Sequence, residues 1–295
     1  MNILYYTLKR NFIMEDTSYI TSINGVKVPY LIYGTAWKKN YTAFMVEKAV
    51  QEGFLGIDTA AQPKHYNEAE VGIALNNLKE QGIKRESLYL QTKFTPLSGQ
   101  DPSSIPYDKN LPIEVQIFQS FENSKKNLQT SYVDTLILHS PIDPYPVMLR
   151  AWKAMESIQK AKGALQLGIS NCYDLNFLKQ LCKDVSIKPA IVQNRFYQET
   201  NYDKELREWS VQNNIIYQSF WTITANPHIL SSDTVEEIAQ THNRTPAQIL
   251  FRYLNQSGVT PLTGTTSQNH MREDLSILDF EISSIELENI TTLLS

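Results

Sequence analysis

Residues 54–72, FLGIDTAAQPKHYNEAEVG, join a short apolar strand to the start of a helix. The strand ends at Asp58, and Tyr66 follows a loop that contains proline, lysine and histidine. An acid at a strand end and a phenol at the start of the next helix are expected to face the same side of a sheet. Two later apolar strands end in the same way, in Lys93 (LYLQTKF) and in His139 (VDTLILHS). Four residues that can exchange protons at equivalent places are hard to explain by packing alone.

The composition is that of an ordinary globular protein with enough apolar residues for a large core. The chain has 295 residues, of which 42% are apolar and 20% are charged. Length alone suggests two domains, but α/β barrels of this size commonly form one domain. A net charge of −4 gives no reason to expect nucleic acid or a membrane surface as a partner. No apolar run approaches the roughly 18 residues that span a bilayer.

Cysteine and histidine usage bears on location and on metals. Cys172 and Cys182 are the two cysteines, and they form no disulfide framework, so we expect a reducing, cytoplasmic location. The five histidines and two cysteines show no metal-ligand spacing, so no metal site is expected.

From residue 30 onward, short apolar strands alternate with amphipathic helices. The predicted strands are 30–36, 54–60, 87–94, 132–140, 164–171, 189–197, 215–221 and 259–265. The predicted helices are 42–52, 68–80, 113–129, 146–162, 174–184, 201–213, 233–255 (in one or two pieces), 267–278 and a last run at 284–294. This alternation indicates parallel strands with right-handed crossovers. Asn24-Gly25, between short β-prone segments, predicts a hairpin in front of them.

An open Rossmann sheet should carry G-x-G-x-x-G after a strand, and the chain has no such run. We therefore predict an α/β fold, a (β/α)8 TIM barrel with an N-terminal β-hairpin plugging its bottom and a C-terminal helix and loop. Residues 1–18 would form an N-terminal extension, and 19–295 a single barrel domain. In such barrels the active site lies at the carboxyl ends of the strands. The long loop 96–112 follows the third strand, and we expect it to form a wall of the substrate pocket.

The four proton-exchanging residues suggest an acid that protonates an oxyanion. Tyr66 is the candidate donor, and the charge of Lys93 would lower the pKa of its phenol. Asp58 would pair with Lys93, and His139 would bind a substrate carbonyl. Each residue also has a plainer explanation: a turn or cap for Asp58 and Tyr66, a solvated strand end for Lys93, and a turn histidine for His139. Their joint position on one barrel face favours chemistry.

The sequence resembles the aldo-keto reductase family from about residue 20 to 280. The resemblance lies in GIDTA, YNEAEVG, QTKF, LILHSP, LGISN, VQNRFY and the DLSILDFEIS end. It implies a barrel that binds NAD(P)H and reduces aldehydes or ketones with an Asp/Tyr/Lys/His tetrad, here Asp58, Tyr66, Lys93 and His139 (called the tetrad below). The family pattern has a shorter loop before the tyrosine and a glycine after it. Tyr66 is the only tyrosine of this loop, and His65 beside it could take part in the pocket.

The resemblance also implies positions for a cofactor. The residues matching those that hold the nicotinamide and line the first-strand turn are Ser170, Asn171, Gln193, Phe220, Gly34 and Thr35. At the other end, the family's Ile-Pro-Lys-Ser turn corresponds to Leu262-Thr263-Gly264-Thr265 and its arginine to His270. Gly264 and His270 are weaker partners for a 2′-phosphate than lysine and arginine. Thr265 and Thr266 would still donate hydrogen bonds to the phosphate, and Arg272 would substitute for the family's arginine. Asp274 would repel the phosphate if its side chain points inward. NADP(H) is the favoured expectation, with NAD(H) possible.

Three further aromatic or imidazole side chains, Trp37, His65 and Trp221, are predicted to line the substrate pocket. The expected partner is a small-molecule carbonyl compound bound by a monomer or weak oligomer, with no nucleic acid or membrane involved. An alternative is a cofactor-binding, redox-sensing subunit similar to the potassium-channel β-subunits of the family. A third possibility is a specialised biosynthetic reductase that acts on a bulky intermediate.

Overall fold

The computed structural model describes residues 18–294, in which eight parallel strands close into a barrel in the order β10-β3-β4-β5-β6-β7-β8-β9. The predicted extension 1–18 lies outside the described residues apart from its last residue. The strands are β1 Tyr19–Thr21, β2 Lys27–Pro29, β3 Ile32–Gly34, β4 Gly56–Asp58, β5 Tyr89–Phe94, β6 Val133–Leu138, β7 Ala164–Ser170, β8 Ile191–Arg195, β9 Ile216–Phe220 and β10 Val259–Thr263. All eight predicted barrel strands are confirmed, and so is the fold.

The helices cover the outside of the barrel, one or more after each strand. They are α1 Thr42–Glu52, α2 Glu68–Glu80, α3 Ile113–Leu128, α4 Tyr145–Lys160, α5 Leu175–Asp184, α6 Lys204–Gln212, α7 Pro227–Leu230, α8 Asp233–His242, α9 Pro246–Gln256, α10 Gln268–Leu275 and α11 Ser284–Leu293. Their apolar faces pack on the strands, which are buried on both sides as parallel strands usually are. Within residues 18–294, no helix is long and apolar enough to span a bilayer.

One predicted helix differs from the observed one, and the run 233–255, predicted in one or two pieces, is two. The pattern of 201–213 predicts one helix, but α6 begins at Lys204 because Asn201, Tyr202 and Asp203 have φ angles of 52°, 50° and 51°. The carboxylate of Asp203 is buried and accepts hydrogen bonds from Asn194 and Tyr217, which holds this left-handed turn. The run 233–255 is two helices, and Pro246 begins the second, after the Thr245 N-cap. The short helix α7 was not predicted.

The hairpin of β1 and β2 plugs the amino-terminal end of the barrel, as predicted. Its turn contains Asn24-Gly25, and Gly25 has a φ of 76°, which glycine adopts without strain. Val28 is fully buried in a cluster at the bottom of the barrel. The Ser22 hydroxyl donates to the Gln166 side chain inside the barrel at 2.5 Å.

A column of buried polar side chains continues from this plug to the opposite end of the barrel. Gln166 donates to Thr135 at 2.9 Å, and the Tyr89 hydroxyl lies 2.6 Å from the same Thr135 oxygen. Tyr89 donates to Gln91 at 2.8 Å, and the Gln91 amide donates to Asp58 at 2.7 Å. Buried polar groups are costly unless they are hydrogen-bonded, so this connected column fixes the position of Asp58 from below.

The start of α2, which follows the loop that carries Tyr66, depends on how closely α2 approaches α3. A Cβ atom placed on Gly72 would overlap the main-chain carbonyl of Asn127. We expect Gly72→Ala to lower the free energy of unfolding by about 1–3 kcal/mol, because overpacking outweighs the helix propensity of alanine. Urea denaturation measures this. Ile73→Ala, on the exposed face of the same helix, should change it by less than about 0.5 kcal/mol; equal losses would contradict the close-contact argument.

Candidate active site

A cavity of about 950 Å³ opens at the carboxyl ends of the barrel strands. The predicted site residues that line it are Gly34, Trp37, Asp58, His65, Tyr66, His139, Asn171, Gln193, Phe220, Trp221, Gly264, Thr265, His270 and Asp274. The predicted site residues that do not line it are Thr35, Lys93, Ser170, Thr266 and Arg272. Most of the predicted site residues therefore line a single cavity, and their roles remain predictions.

A buried ion pair lies at the floor of the cavity, with Asp58 in the lining and Lys93 behind it. Lys93 Nζ lies 2.6 Å and 2.7 Å from the two carboxylate oxygens of Asp58 and also donates to the carbonyl of Thr59 at 3.0 Å. Lys93 is 1% exposed and Asp58 is 2% exposed. Burial lowers the pKa of Lys93, and the charge of Asp58 opposes that change. The Asp58 carboxylate also accepts hydrogen bonds from Gln91 and Gln193, which fix its position.

Tyr66 lies directly above this pair. Lys93 Nζ is 5.0 Å from the centre of the Tyr66 ring, and that ring is edge-on to His139 at 6.1 Å. The expected net lowering of the phenol pKa is not found in this state: burial, and then the negative charge of Asp58, raise the pKa of Tyr66. The phenol is protonated at neutral pH, as an ordinary phenol is. The ammonium of Lys93, paired with Asp58 at 2.6 Å, is the nearby positive charge that would favour the phenolate when it forms.

His139 is neutral in this environment. Burial, followed by the charges of Lys93 and His65, lowers the pKa of His139 well below its usual value. Its Nδ1 atom lies 2.6 Å from the hydroxyl of Thr95. When that hydroxyl donates to Nδ1, the ring proton is on Nε2, where it can be donated to an oxygen in the cavity. Thr95 was not identified from the sequence.

The loop before α2 fixes Tyr66 despite its unusual length. The main-chain amides of His65 and Tyr66 both donate to the carbonyl of Gln62 at 3.0 Å, and Asn67 caps α2 by accepting from Glu70. His65 itself packs against Trp37, with ring centres 3.9 Å apart and ring planes tilted by 45°. The plainer explanation of Tyr66 as a helix cap is thus wrong, since Asn67 is the cap.

The side chains matched to a nicotinamide lie beside the tetrad. Asn171 donates to the carbonyl of His139 at 2.8 Å, and Gln193 donates to Asp58 at 3.0 Å. Phe220 ends β9 and lies opposite Arg195 on β8, two residues beyond the Gln193–Gln218 pair. Thr35 and Ser170 are buried behind this wall; the Thr35 hydroxyl donates to the carbonyl of Asp58 at 2.8 Å.

The far end of the cavity carries acidic side chains. Asp274 accepts from the Thr263 hydroxyl at 2.7 Å, and burial raises the pKa of Asp274 to about 6. Glu273 also lines this end, as does His270. Arg272, weighed as a substitute for the family's arginine, instead forms an exposed bidentate pair with Glu52 at 2.6 Å and 3.1 Å. Its guanidinium is therefore committed to α1 and does not line the cavity.

Several lining residues were not identified from the sequence. They are Ala36, Gln62, Arg195, Thr222, Ile223, Thr224, Thr245, Ala247, Phe251 and Glu273, while Leu262 and Thr263 were matched to the family's turn without a role. Thr245 and Ala247, at the start of α9, do not follow a strand, so the strand-end pattern could not identify them. Arg195 had a usable signal, because it lies two residues beyond Gln193 on the same strand and so faces the same side.

The loop 96–112 does not form a wall of the cavity, contrary to the prediction. It folds against the barrel, where the Tyr107 hydroxyl donates to the carbonyl of Thr95 and the Gln100 amide donates to the carbonyl of Ala61. Its polar side chains are used to hold the loop down on β5, and none of its residues contributes to the lining.

Comparison with known proteins gives consistent matches over nearly the whole chain. The sequence model of the Aldo/keto reductase family matches residues 31–220 and 196–295. A glyoxal reductase from Bacillus subtilis is 30% identical over 273 residues, which cover 92% of this chain and 90% of that protein. A methylglyoxal reductase from Escherichia coli O157:H7 is 27% identical, covering 95% and 94%. The crystal structure of an aldo/keto reductase from Brucella melitensis superposes with a TM-score of 0.79 at 25% identity, covering 93% of this chain and 98% of that one.

Proposed function

Because the chain belongs to the aldo/keto reductase family, we propose that it reduces an aldehyde or ketone to an alcohol with NAD(P)H. The observation that carries this proposal is the buried Asp58–Lys93 pair beneath Tyr66, with neutral His139 beside it, at the floor of one cavity. Such an arrangement holds a proton donor where a carbonyl oxygen can reach it, which is what carbonyl reduction requires.

The cavity fits a nicotinamide dinucleotide in size and in donor chemistry. At about 950 Å³ it has room for an extended cofactor with a small substrate. Asn171 and Gln193 would hold the carboxamide, and Phe220 would stack on the ring. Thr265 would hydrogen-bond the adenosine half, and the N-terminus of α10 would attract its negative charge. Bound there, a reduced nicotinamide supplies a hydride to the carbonyl carbon.

The tetrad residues have separate roles in this proposal. Tyr66 gives its proton to the carbonyl oxygen, so the phenol becomes a phenolate as the alcohol forms. Lys93 stabilises that phenolate with a charge 5.0 Å from the ring centre, and Asp58 holds Lys93 in place. His139 donates from Nε2 to the same carbonyl oxygen and orients it. Tyr66 holds its proton before the reaction begins, as a phenol does at neutral pH.

The substrates named for the relatives are small dicarbonyls, glyoxal and methylglyoxal. We propose small aldehydes and ketones, these two included, as substrates here. The direct test follows the absorbance of NADPH and NADH at 340 nm with glyoxal, methylglyoxal and a set of aromatic aldehydes. Turnover of any of them supports the reductase. Saturable cofactor binding with no turnover of any compound in the set would favour the redox-sensing subunit instead.

The cytoplasmic location and the monomeric or weakly oligomeric state also remain predictions.

The choice between NADP(H), which the family resemblance favours, and NAD(H) depends on the acidic end of the cavity. Glu273 and Asp274 line this end while Arg272 is paired with Glu52, so no described arginine faces a 2′-phosphate there. We therefore expect NADH to bind at least as tightly as NADPH.

Replacing His270 by arginine should restore a phosphate partner. We expect His270→Arg to tighten NADPH binding by about tenfold, because a charge-assisted hydrogen bond to the 2′-phosphate is gained, with less than about a twofold change for NADH. Titration of tryptophan fluorescence gives both affinities, since Trp37 and Trp221 line the cavity. Asn269→Arg adds the same charge at an exposed neighbour outside the cavity and serves as the control. Equal gains in both variants would show only a general effect of charge.

A further inference from the structure

Arg195 lines the cavity without an acidic partner. It ends β8, two residues after Gln193, so its side chain lies about 7 Å further toward the mouth on the same face of the strand. Within residues 18–294, no carboxylate lies within 4.0 Å of its guanidinium, and its Nε atom is buried without a hydrogen-bond partner. The buried carboxylates of Asp58 and Asp203 have other partners: Lys93 for Asp58, and Asn194 and Tyr217 for Asp203.

The other arginines that the structure describes show how unusual this is. Each donates to an oxygen, and the pairs are Arg85 with Asp134, Arg150 with Glu114, Arg207 with the carbonyl of Tyr202, Arg244 with Ser276, Arg252 with Gln256 and Arg272 with Glu52. Arg195 is half-buried, and its buried Nε atom alone lacks a partner, so the rest of its guanidinium faces the cavity. A buried donor without a partner costs free energy unless a ligand supplies the acceptor.

Two aromatic rings hold the guanidinium of Arg195 in place. Its central carbon lies 4.3 Å from the ring centre of Trp221 and 5.1 Å from that of Tyr197. Stacking on ring faces fixes the plane of the group while leaving its edge open. The edge of a fixed guanidinium matches a carboxylate or phosphate with two parallel hydrogen bonds. Trp221 also adopts a φ of 56°, unusual for so large a residue, and such strain is common at ligand sites.

The position of Arg195 in the barrel indicates which anion it meets. Its main-chain amide donates to the Tyr173 hydroxyl, which donates to Asn171, which in turn donates to the carbonyl of His139. Arg195 is thus tied to the His139 side of the cavity. The proposed adenosine end lies on β10 and α10, and β10 pairs with β9 and β3 but not with β8. Arg195 lies opposite Phe220 at the nicotinamide end, and a dinucleotide that runs from Phe220 on β9 toward β10 leads its diphosphate away from β8 and Arg195.

We propose that Arg195 binds the acidic group of the carbonyl substrate, so that the preferred substrates are aldehydes or ketones that carry a carboxylate or phosphate. This inference rests on the proposed reductase function and specifies its substrate class. The neutral dicarbonyls named for the relatives lack such a group, so this chain is expected to differ from those proteins in preference.

The test compares 4-carboxybenzaldehyde with its methyl ester, which has nearly the same shape and no charge. The measured quantity is the ratio of kcat/KM for the acid to kcat/KM for the ester. We expect the ratio to fall by about 10- to 100-fold in Arg195→Met, mainly through KM, and by less in Arg195→Lys, which keeps the charge without the fork. Arg150→Met, which removes an exposed arginine on α4, should leave the ratio as in the natural protein.

Binding measurements separate the anchor from the reductase chemistry. Titration calorimetry with 4-(hydroxymethyl)benzoate, the product of the acid, should show an affinity about tenfold lower in Arg195→Met whether or not the protein turns over. An unchanged ratio together with unchanged affinity would overturn the assignment of Arg195 while leaving the reductase intact. A loss of NADH and NADPH affinity as large as the loss for the acid would also overturn it, since the anion would then be the cofactor's diphosphate. Absence of turnover with normal acid binding would refute the reductase alone.

Discussion

Tyr66→Phe is expected to lower kcat by more than about 100-fold, because it removes the proton that reaches the carbonyl oxygen. The ring stays in place, so the packing on His139 and the contact with Lys93 are retained. Dinucleotide affinity, measured by tryptophan fluorescence, should change by less than about threefold, since a lost hydroxyl without a buried partner costs little. The loss should therefore appear in kcat, as expected for an interaction made mainly in the transition state.

The control for this variant is Tyr41→Phe. Tyr41 is 73% exposed and lies outside the cavity, so it loses the same hydroxyl with no expected effect on turnover. If Tyr66→Phe kept near-normal turnover, the proton would have to come from another group. His65 is then the next residue to replace, because it lines the same cavity one position earlier and its Nδ1 atom is buried without a partner.

The barrel could be predicted because its signals are local. The eight strands and the helices between them can be predicted from the pattern of apolar residues within each segment. The hairpin turn can be predicted from Asn24-Gly25 alone. The start of α6 could not be predicted. Residues 201–203 have the pattern of a helix, and the turn that replaces it depends on the buried contacts of Asp203 with Asn194 and Tyr217. Tertiary hydrogen bonds overrode local propensity there.

The candidate site also has parts that the sequence predicts and parts that depend on tertiary contacts. Strand ends placed Asp58 and His139 on one cavity because the topology of a parallel barrel brings all such ends together. The pairing of Arg272 with Glu52 on α1 has no local sequence signal. Because it keeps Arg272 out of the cavity, it removes a partner for the 2′-phosphate of NADP(H). The raised pKa of Tyr66 also escaped prediction, since it depends on how closely Asp58 neutralises Lys93 and how deeply all three are buried.

Replacing Lys93 should damage both stability and catalysis, and the two effects can be separated. Lys93→Met keeps the length of the side chain but leaves the carboxylate of Asp58 buried without its cation. Breaking a buried ion pair by removing one partner costs about 3–5 kcal/mol, because the remaining charge is uncompensated. Urea denaturation should show a loss of this size. kcat should also fall, by more than about 100-fold in the fraction that stays folded, since no charge stabilises the Tyr66 phenolate.

The double variant Asp58→Asn/Lys93→Met distinguishes the two roles of the pair. Removing both charges leaves neutral groups, and the amide oxygen that replaces the carboxylate can still accept from Gln91 and Gln193. Much of the lost stability should therefore return, as it does when buried ion pairs are replaced together by neutral side chains. Turnover should not return, because the positive charge next to Tyr66 is still missing. Recovery of turnover along with stability would mean that Lys93 acts only by holding the fold, and the proton-transfer role assigned to it would have to be abandoned.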